Sequence, residues 1–219
     1  MSREIRAVLF DFGGVFTDSP FAALDELSKE LGVAPRELLD IVFGPYDEDT
    51  DHPWHRLERG ELSLGDARDA IIDLSTRAGN EVDPLELLMR VGTGGGARDP
   101  LVRRTRRLRA EGYRTALVTN NVMEFREHWR SVLPLEELFD VVVDSSEVGM
   151  RKPNPAIFLH ALELLEGVAP EGAVFLDDYA GNIDAATRLG FHGVLVGSAA
   201  GEENVEQAIL DLDEILGRA

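Results

Sequence analysis

Four short polar segments contain the residue types that could perform phosphoryl transfer. They contribute Asp11, Thr119, Lys152 and the neighbouring pair Asp177 and Asp178. A carboxylate can attack phosphorus as a nucleophile, acidic side chains can hold Mg²⁺ through oxygen ligands, and a lysine can offset the charge of a phosphate. This chemistry requires the four segments to meet at one place in the fold.

The segments follow runs of residues that are typical of β-strands. These runs are Ile5–Phe10, Thr115–Thr119, Phe139–Asp144, Ala173–Leu176 and Gly193–Val196. Each run is short and mostly apolar, which indicates parallel strands that are buried on both faces. Because parallel strands bring their carboxyl ends to one edge of a sheet, we expect the polar segments to converge there.

Helical patterns lie between the later strands. Proline and glycine mark their limits, because proline suits the first turn of a helix and glycine its end. The predicted helices begin at Asp99-Pro100, with Asp99 as the cap and Pro100 as the first helical residue, at Asn154-Pro155 and near Ala180. The first and third end at Gly112 and Gly190. This alternation predicts an α/β fold, with a doubly wound, mostly parallel, Rossmann-like sheet.

Residues 17–97 differ from the rest because they contain no convincing strand. Apolar residues recur there at helical spacing, for example at Leu24, Leu27 and Leu31, and the segment has 18 acidic against 7 basic residues. We interpret it as an all-helical cap inserted into a core formed by residues 1–16 and 98–219. The glycine-rich run Gly92–Gly96 fits no phosphate-binding loop pattern and is predicted to be a hinge.

Composition narrows the classes of partner. The net charge of −19 argues against nucleic acid and anionic membranes as partners. The chain has no cysteine and no apolar run near the roughly 20 residues that span a bilayer. Because the first residues also lack a signal-peptide pattern, we expect a soluble, cytoplasmic protein.

The basic residues are 20 arginines and only 2 lysines, which draws attention to the one in the third polar segment. The arginine cluster of residues 103–109 could form a phosphate-binding patch. A solvated helix face is the preferred interpretation.

In order, the polar segments read DFGGV, LVTNN, GMRKP and FLDDYAGN. With a helical insertion after the first of them, the chain resembles the haloacid dehalogenase-like hydrolases that carry a C1-type cap. It is similar to the phosphatase branch that includes the N-terminal domain of soluble epoxide hydrolases. The likeness covers essentially the whole chain.

The resemblance implies Mg²⁺-dependent hydrolysis of small phosphorylated metabolites through an aspartyl-phosphate. It implies Asp11 as the nucleophile, with Thr119 and Lys152 as further catalytic residues. The implied phosphate-binding residues are Gly13, Gly14, Thr119, Asn120 and Lys152. The implied metal ligands are Asp11, the backbone carbonyl of Gly13, Asp178 and Asp177, the last directly or through a neighbour. A monomer or a homodimer would suit this function.

Gly13 departs from the pattern, since most phosphatases that the chain resembles have a second aspartate there. That aspartate protonates the leaving oxygen, and glycine cannot, so slow or substrate-restricted turnover is expected. Two alternatives stay open: a dehalogenase that needs no metal, and a weakly catalytic phosphate-binding or regulatory protein. The intact Asp177-Asp178 pair favours phosphate over halide.

The segment of residues 45–55 is a candidate part of the substrate pocket. It contains Trp54 between His52 and His55, and a histidine there could replace the missing acid. The alternative interpretation places Trp54 in the cap core and both histidines on the surface.

Overall fold

A five-stranded parallel sheet organises the protein. The computed structural model describes residues 4–19, 22–91, 97–197 and 202–218. The strands are β1 (Ala7–Phe10), β2 (Arg114–Thr119), β3 (Val141–Asp144), β4 (Ala173–Asp177) and β5 (His192–Leu195). They lie in the order β3-β2-β1-β4-β5, and every neighbouring pair is parallel. β1 is therefore the central strand.

Side chains of β1 alternate between two apolar layers. Val8 and Phe10 belong to one buried cluster, whereas Ala7 and Leu9 belong to another, and none of the four is exposed. Successive side chains of a strand point to opposite faces. The continuous apolar run of β1 thus reflects burial on both faces, as expected for a parallel sheet.

Helices cover both faces of the sheet. Those of the chain after residue 97 are α6 (Asp99–Ala110), α7 (Arg126–Val132), α8 (Leu135–Leu138), α9 (Ser145–Val148), α10 (Pro155–Leu164), α11 (Ala180–Leu189) and α12 (Glu202–Ile215). Residues of α6 and α12 pack in the cluster of Phe10, and residues of α10 and α11 pack in the cluster of Leu9. The predicted doubly wound α/β fold is confirmed.

Predicted strand ends differ from the structure by one or two residues. The third strand begins at Val141 rather than Phe139 because the Phe139 N–H donates to the carbonyl of Leu135 and closes α8. The fourth extends one residue further, to Asp177. Backbone bonds to neighbouring segments, which a sequence does not display, set these limits.

The helix limits follow the predicted signals closely. Asn154 caps α10, since its side chain accepts a hydrogen bond from the Ala156 N–H at 3.0 Å. Gly190 ends α11 in the left-handed conformation with φ 107°. Asp99 was predicted as the residue that caps α6, but the helix already includes it and Arg98 holds the cap position.

Between β1 and α6, the regular elements that the described residues form are all helices. They are α1 (Ala22–Leu31), α2 (Pro35–Val42), α3 (Pro53–Glu58), α4 (Leu64–Arg77) and α5 (Pro84–Val91). Leu38, Leu57, Ile71 and Leu87 form the centre of a third apolar cluster there. The domain limits of the cap stay a prediction, and the predicted hinge Gly92–Gly96 lies outside the described residues.

The arginines of α6 do not form one solvated face. Arg104 is buried and pairs with Asp213 and Glu111, which corrects the prediction for this residue. The exposed Arg106 pairs with Glu137. Ion pairs with neighbouring helices therefore occupy part of this cluster.

In the described part of the chain, no helix combines the length and the apolar character that crossing a membrane requires.

Candidate functional site

The carboxyl edge of the sheet brings the predicted site residues together. Asp11 directly follows β1, Thr119 ends β2, and Asp177 ends β4. Lys152 lies in the loop before α10, and its Nζ is 2.7 Å from Asp11 Oδ1 and 2.7 Å from Asp177 Oδ2. Asp178 completes the group. The parallel arrangement thus converts four distant sequence segments into one cluster.

Asp177 is held by donors on every side. Its Oδ1 accepts from the Tyr179 N–H at 2.8 Å, and its Oδ2 accepts from Lys152. Asn182 Nδ2 donates to both oxygens. Asn182 is buried and orients Asp177. These bonds suit a role in positioning Lys152 more than direct metal ligation.

Asp178 has the properties of a metal ligand. Its Oδ2 is buried and accepts no hydrogen bond from the residues that the structure describes. Asp11, Asp177 and Asp178 each offer a carboxylate oxygen, and these oxygens lie within 4.8 Å of one another. A hard cation that prefers oxygen ligands, such as Mg²⁺, fits this donor set.

The pKa values show how strongly these groups need a cation. Burial raises the pKa of Asp11 to about 7, although Lys152 opposes the effect. Burial, together with the charges of Asp177 and Asp11, raises the pKa of Asp178 to about 8. Burial acts to lower the pKa of Lys152, but Asp11 and Asp177 outweigh it and raise that pKa, so the ammonium stays charged.

Gly14 allows the loop after β1 to pass close to Asp178. Its φ is +71°, and a Cβ added there would lie 1.9 Å from Asp178 Oδ2. Arg98 Nη1 donates to the Gly14 carbonyl at 2.6 Å, which fixes the loop from the side of α6. Gly13 does not share the left-handed conformation, and it lines the cavity beside Asp11.

The second polar segment supports Lys152. Asn120 Oδ1 accepts from the Lys152 N–H at 2.8 Å, and Asn120 Nδ2 donates to the Lys152 carbonyl at 3.0 Å. Since its amide is used in this way, Asn120 would contact a phosphate through its backbone N–H. Thr119 is buried and lines the cavity with Asn120.

A buried ion pair joins the helical segment to the residue before Lys152. Arg151 Nε lies 2.6 Å from Glu58 Oε2, and neither side chain is appreciably exposed. Glu58 Oε1 also accepts from Trp54 Nε1 at 2.9 Å, and Arg151 Nη1 donates to the Glu48 carbonyl. A charge pair that is hydrogen-bonded in this way fixes one arrangement of α3 over the site.

Of the two histidines of the candidate pocket segment, His55 is buried and His52 is partly exposed. His55 is fully buried, and its Nδ1 accepts from the Thr50 N–H at 3.0 Å. Burial lowers its pKa to about 3, which keeps it neutral. Neither His52 nor His55 lines the cavity, so neither is placed to act as the missing acid. Trp54 lies in the apolar cluster of the helical segment, as the alternative interpretation predicted.

A cavity of about 860 Å³ opens above the cluster, near the upper end of the range for ligand sites. Asp11, Thr119, Lys152 and Asp178 form its polar floor. Its walls are largely apolar and aromatic, with contributions from both the helical segment and the loop after β2.

Several residues around this cavity were not identified from the sequence. Ser19 forms a hydrogen bond with Asp178, and Glu58 reaches Arg151 across 93 positions. Phe12 and Trp129 form an aromatic wall with ring centroids 5.4 Å apart. Helical spacing marks apolar positions, but it does not separate core residues from cavity residues, and no local signal reveals the distant pairs.

The chain is similar to known proteins. The family model described as "haloacid dehalogenase-like hydrolase" matches residues 5–190. Acyl-CoA dehydrogenase family member 10 of Mus musculus is 30% identical over 98% of the chain and 19% of its own length. Bifunctional epoxide hydrolase 2 of Mus musculus is 26% identical over 97% of the chain and 39% of its own length. The chain therefore spans less than half of these relatives.

A relative of similar length is sesquiterpene phosphatase astK of Aspergillus oryzae, which is 27% identical over 89% of the chain and 91% of its own length. Among solved structures, a HAD family enzyme of Bacteroides thetaiotaomicron in complex with magnesium and inorganic phosphate has a TM-score of 0.59. It is 20% identical to the chain, and the match covers 90% of the chain and 96% of the enzyme's own length. The L-2-haloacid dehalogenase RSc1362 has a TM-score of 0.63 at 20% identity, covering 96% of the chain and 100% of its own. These structures share the fold.

We expect Gly14→Ala to disrupt the position of Asp178, because the new Cβ would overlap Oδ2. Calorimetric titration should show Mg²⁺ affinity reduced by about 10-fold or more. Gly217→Ala is the matched control, since Gly217 also has φ +71° but nothing within 4 Å of its added Cβ. It should lose only about 1–2 kcal/mol of stability from backbone strain. Unchanged Mg²⁺ affinity in Gly14→Ala would contradict the close approach.

Without bound metal, the protein should become less stable as the pH rises. In the folded chain Asp11 and Asp178 keep their protons up to about pH 7 and 8, whereas their ordinary pKa is 3.8. The folded state then binds more protons than the unfolded state, so the free energy of unfolding falls through this window.

Mg²⁺ binds the deprotonated carboxylates, and it should therefore raise the melting temperature more at about pH 8 than at about pH 6. Scanning calorimetry at matched ionic strength measures this difference. Asp178→Asn should abolish most of it. An equal Mg²⁺ effect in that variant would argue that the ion binds elsewhere.

Proposed function

Because the chain belongs to the haloacid dehalogenase-like hydrolase family, we propose that it hydrolyses small phosphate monoesters with Asp11 as the nucleophile and Mg²⁺ as cofactor. The observation that carries this proposal is the bridge from Lys152 to Asp11 and Asp177, with the unpaired Oδ2 of Asp178 beside it. The name of the phosphatase relative of similar length supports the same reaction.

In the proposed reaction the Asp11 carboxylate attacks phosphorus. The bond between phosphorus and the alcohol oxygen breaks, and an aspartyl-phosphate forms. The departing alkoxide takes up a proton from water, because no side chain at position 13 can supply one. Water then attacks phosphorus, the bond to Asp11 breaks, and inorganic phosphate leaves with the carboxylate restored. Lys152 holds Asp11 in place and offsets the charge of the phosphate oxygens.

Charge explains the need for a metal ion. Asp11, Asp177 and Asp178 surround one lysine, and a phosphate dianion would add further negative charge. Asp11, Asp178 and the Gly13 carbonyl are the proposed ligands, and Asp177 acts through Lys152. Bound there, Mg²⁺ would offset part of this charge and polarise the phosphate.

Residues 17–97 are proposed to act as a cap that closes the site. The pair of Glu58 and Arg151 ties α3 to the residue before Lys152, and Tyr179 donates a hydrogen bond to Asp47 at 2.7 Å. A closed cap would exclude water from the reacting groups.

Gly13 favours a second candidate, a phosphate-binding protein with weak catalysis. The position beside Asp11 has no side chain that could protonate a leaving group, and loss of general acid catalysis typically costs about 10²–10⁴-fold in rate. The cluster around Lys152 supports turnover nevertheless, above all for esters whose leaving groups need little protonation. Dehalogenation is the remaining alternative.

Asp11→Asn should abolish Mg²⁺-dependent hydrolysis of an aryl phosphate, because the amide is not a nucleophile. Product release in a colorimetric assay gives the rate, and Asp184→Asn serves as control because Asp184 is exposed. A parallel assay with a 2-haloacid and EDTA tests the alternative. Phosphatase activity that persists in Asp11→Asn would rule out the mechanism, and halide release in EDTA would favour dehalogenation.

Gly13→Asp should accelerate hydrolysis of alkyl phosphates, whose leaving groups are poor, by about 10-fold or more, and change aryl phosphate hydrolysis little. The ratio of kcat for the two substrates is the measurement. Gly13→Asn is the matched control, because the asparagine side chain has the same size as aspartate but no acidic proton to transfer. An equal effect of both variants would show that size, and not acid catalysis, matters there.

A further inference from the structure

The cavity above the cluster has a charged floor and an apolar wall. Asp11, Lys152 and Asp178 provide the floor, where a phosphate would bind. Its wall includes Phe12, Trp54, Leu85, Leu88, Phe125 and Trp129. At about 860 Å³ the cavity has far more room than a phosphate group fills. Because these wall residues are apolar or aromatic, the space above the floor suits a hydrocarbon group better than a hydroxylated one.

Several polar groups of the wall already have partners within the protein, whereas Trp129 Nε1 and Asn182 Oδ1 are buried without one among the described residues. Glu58 accepts from Trp54 Nε1 and pairs with Arg151. Asn121 Oδ1 accepts from the Val122 N–H.

The Tyr179 hydroxyl donates a hydrogen bond to Asp47. Sugar hydroxyls that left water for this cavity would find few partners, and buried polar groups without partners are costly.

Charge disfavours a second anionic group on the substrate. Residues 17–97 have 18 acidic and 7 basic side chains, and Asp18 lines the cavity itself, as does Glu58, whose charge Arg151 offsets. Among the described residues that line the cavity, Lys152 is the only lysine or arginine, and His128 lines it as well. A carboxylate or a second phosphate far from the floor would meet like charge.

We propose that the substrate is the monophosphate of an extended apolar alcohol, whose carbon skeleton fills the cavity between α5, the loop after β2 and Phe12. The inference rests on the proposed phosphatase function and names its substrate class. Specificity then comes from burial of carbon against this wall, while the charged floor recognises the phosphate that all candidate substrates share.

A series of linear alkyl phosphates from ethyl to dodecyl tests the proposal, assayed below the concentration at which they aggregate. Each buried methylene contributes about 0.8 kcal/mol, so kcat/KM should rise by about fourfold per added methylene until the cavity is full. Glycerol phosphate and a hexose phosphate serve as polar comparisons of similar size. A flat or falling series, or preference for the polar esters, would overturn the substrate class.

Variants of α5 locate the effect. Leu88→Asn should flatten the chain-length dependence, because Leu88 lines the cavity. Since Leu88 also packs on the helical cluster, a second variant is Met89→Glu, whose native side chain lines the cavity, is 74% exposed and does not belong to that cluster. Both should lower the ratio of kcat/KM for dodecyl phosphate to that for ethyl phosphate at least 10-fold. Leu210→Asn is the control, because Leu210 is 61% exposed and does not line the cavity. An unaltered series in both α5 variants would contradict the proposed binding surface.

The outcomes separate the two proposals. Hydrolysis of short esters with no gain from chain length refutes the apolar substrate and leaves the phosphatase function standing. If no ester is hydrolysed, the phosphatase function fails, and calorimetric titration with ethylphosphonate and dodecylphosphonate in Mg²⁺ still tests the cavity. Equal affinity for the two phosphonates would overturn the apolar site, and tighter binding of dodecylphosphonate would support it.

Discussion

The ammonium group of Lys152 lies between Asp11 and Asp177 in a site from which solvent is almost excluded. Burial of carboxylates is costly unless cations accompany them, and one lysine does not balance three acids. Burial, and after it the charges of the neighbouring carboxylates, raises the pKa values of Asp11 and Asp178. The polar contacts around the site serve to hold that lysine: Asn120 binds its backbone on both sides, and Asn182 fixes Asp177 against it.

The helical segment is coupled to the same lysine through its neighbour. Arg151 is fully buried and pairs with Glu58 of α3, so displacement of α3 would leave a guanidinium without its counter-charge. Gly60 adds a steric contact, since a Cβ there would lie 2.5 Å from the Ser146 carbonyl oxygen. These contacts join the wall of the cavity to its floor, which links substrate enclosure to the position of the reacting groups.

The cavity combines two physically different surfaces. Its floor is charged and depends on a cation, whereas its wall gains affinity from apolar area, which is independent of charge. Gly13 lies where the two surfaces meet and contributes neither a proton nor apolar bulk. In the proposed function the floor specifies the reaction, and side chains such as Leu88 and Trp129 select the substrate.

The sequence by itself determined the α/β fold, because apolar strands that end on acidic or hydroxyl residues force those residues to one sheet edge. It also identified Asp11, Lys152 and Asp178, whose chemistry is evident from residue type. Only the tertiary structure decided that Asn182 orients Asp177, that His55 is buried, that Arg104 is paired, and that Glu58 meets Arg151. The reason is physical: periodicity records which side chains avoid water, but the partner of a buried polar group is set by packing between distant segments.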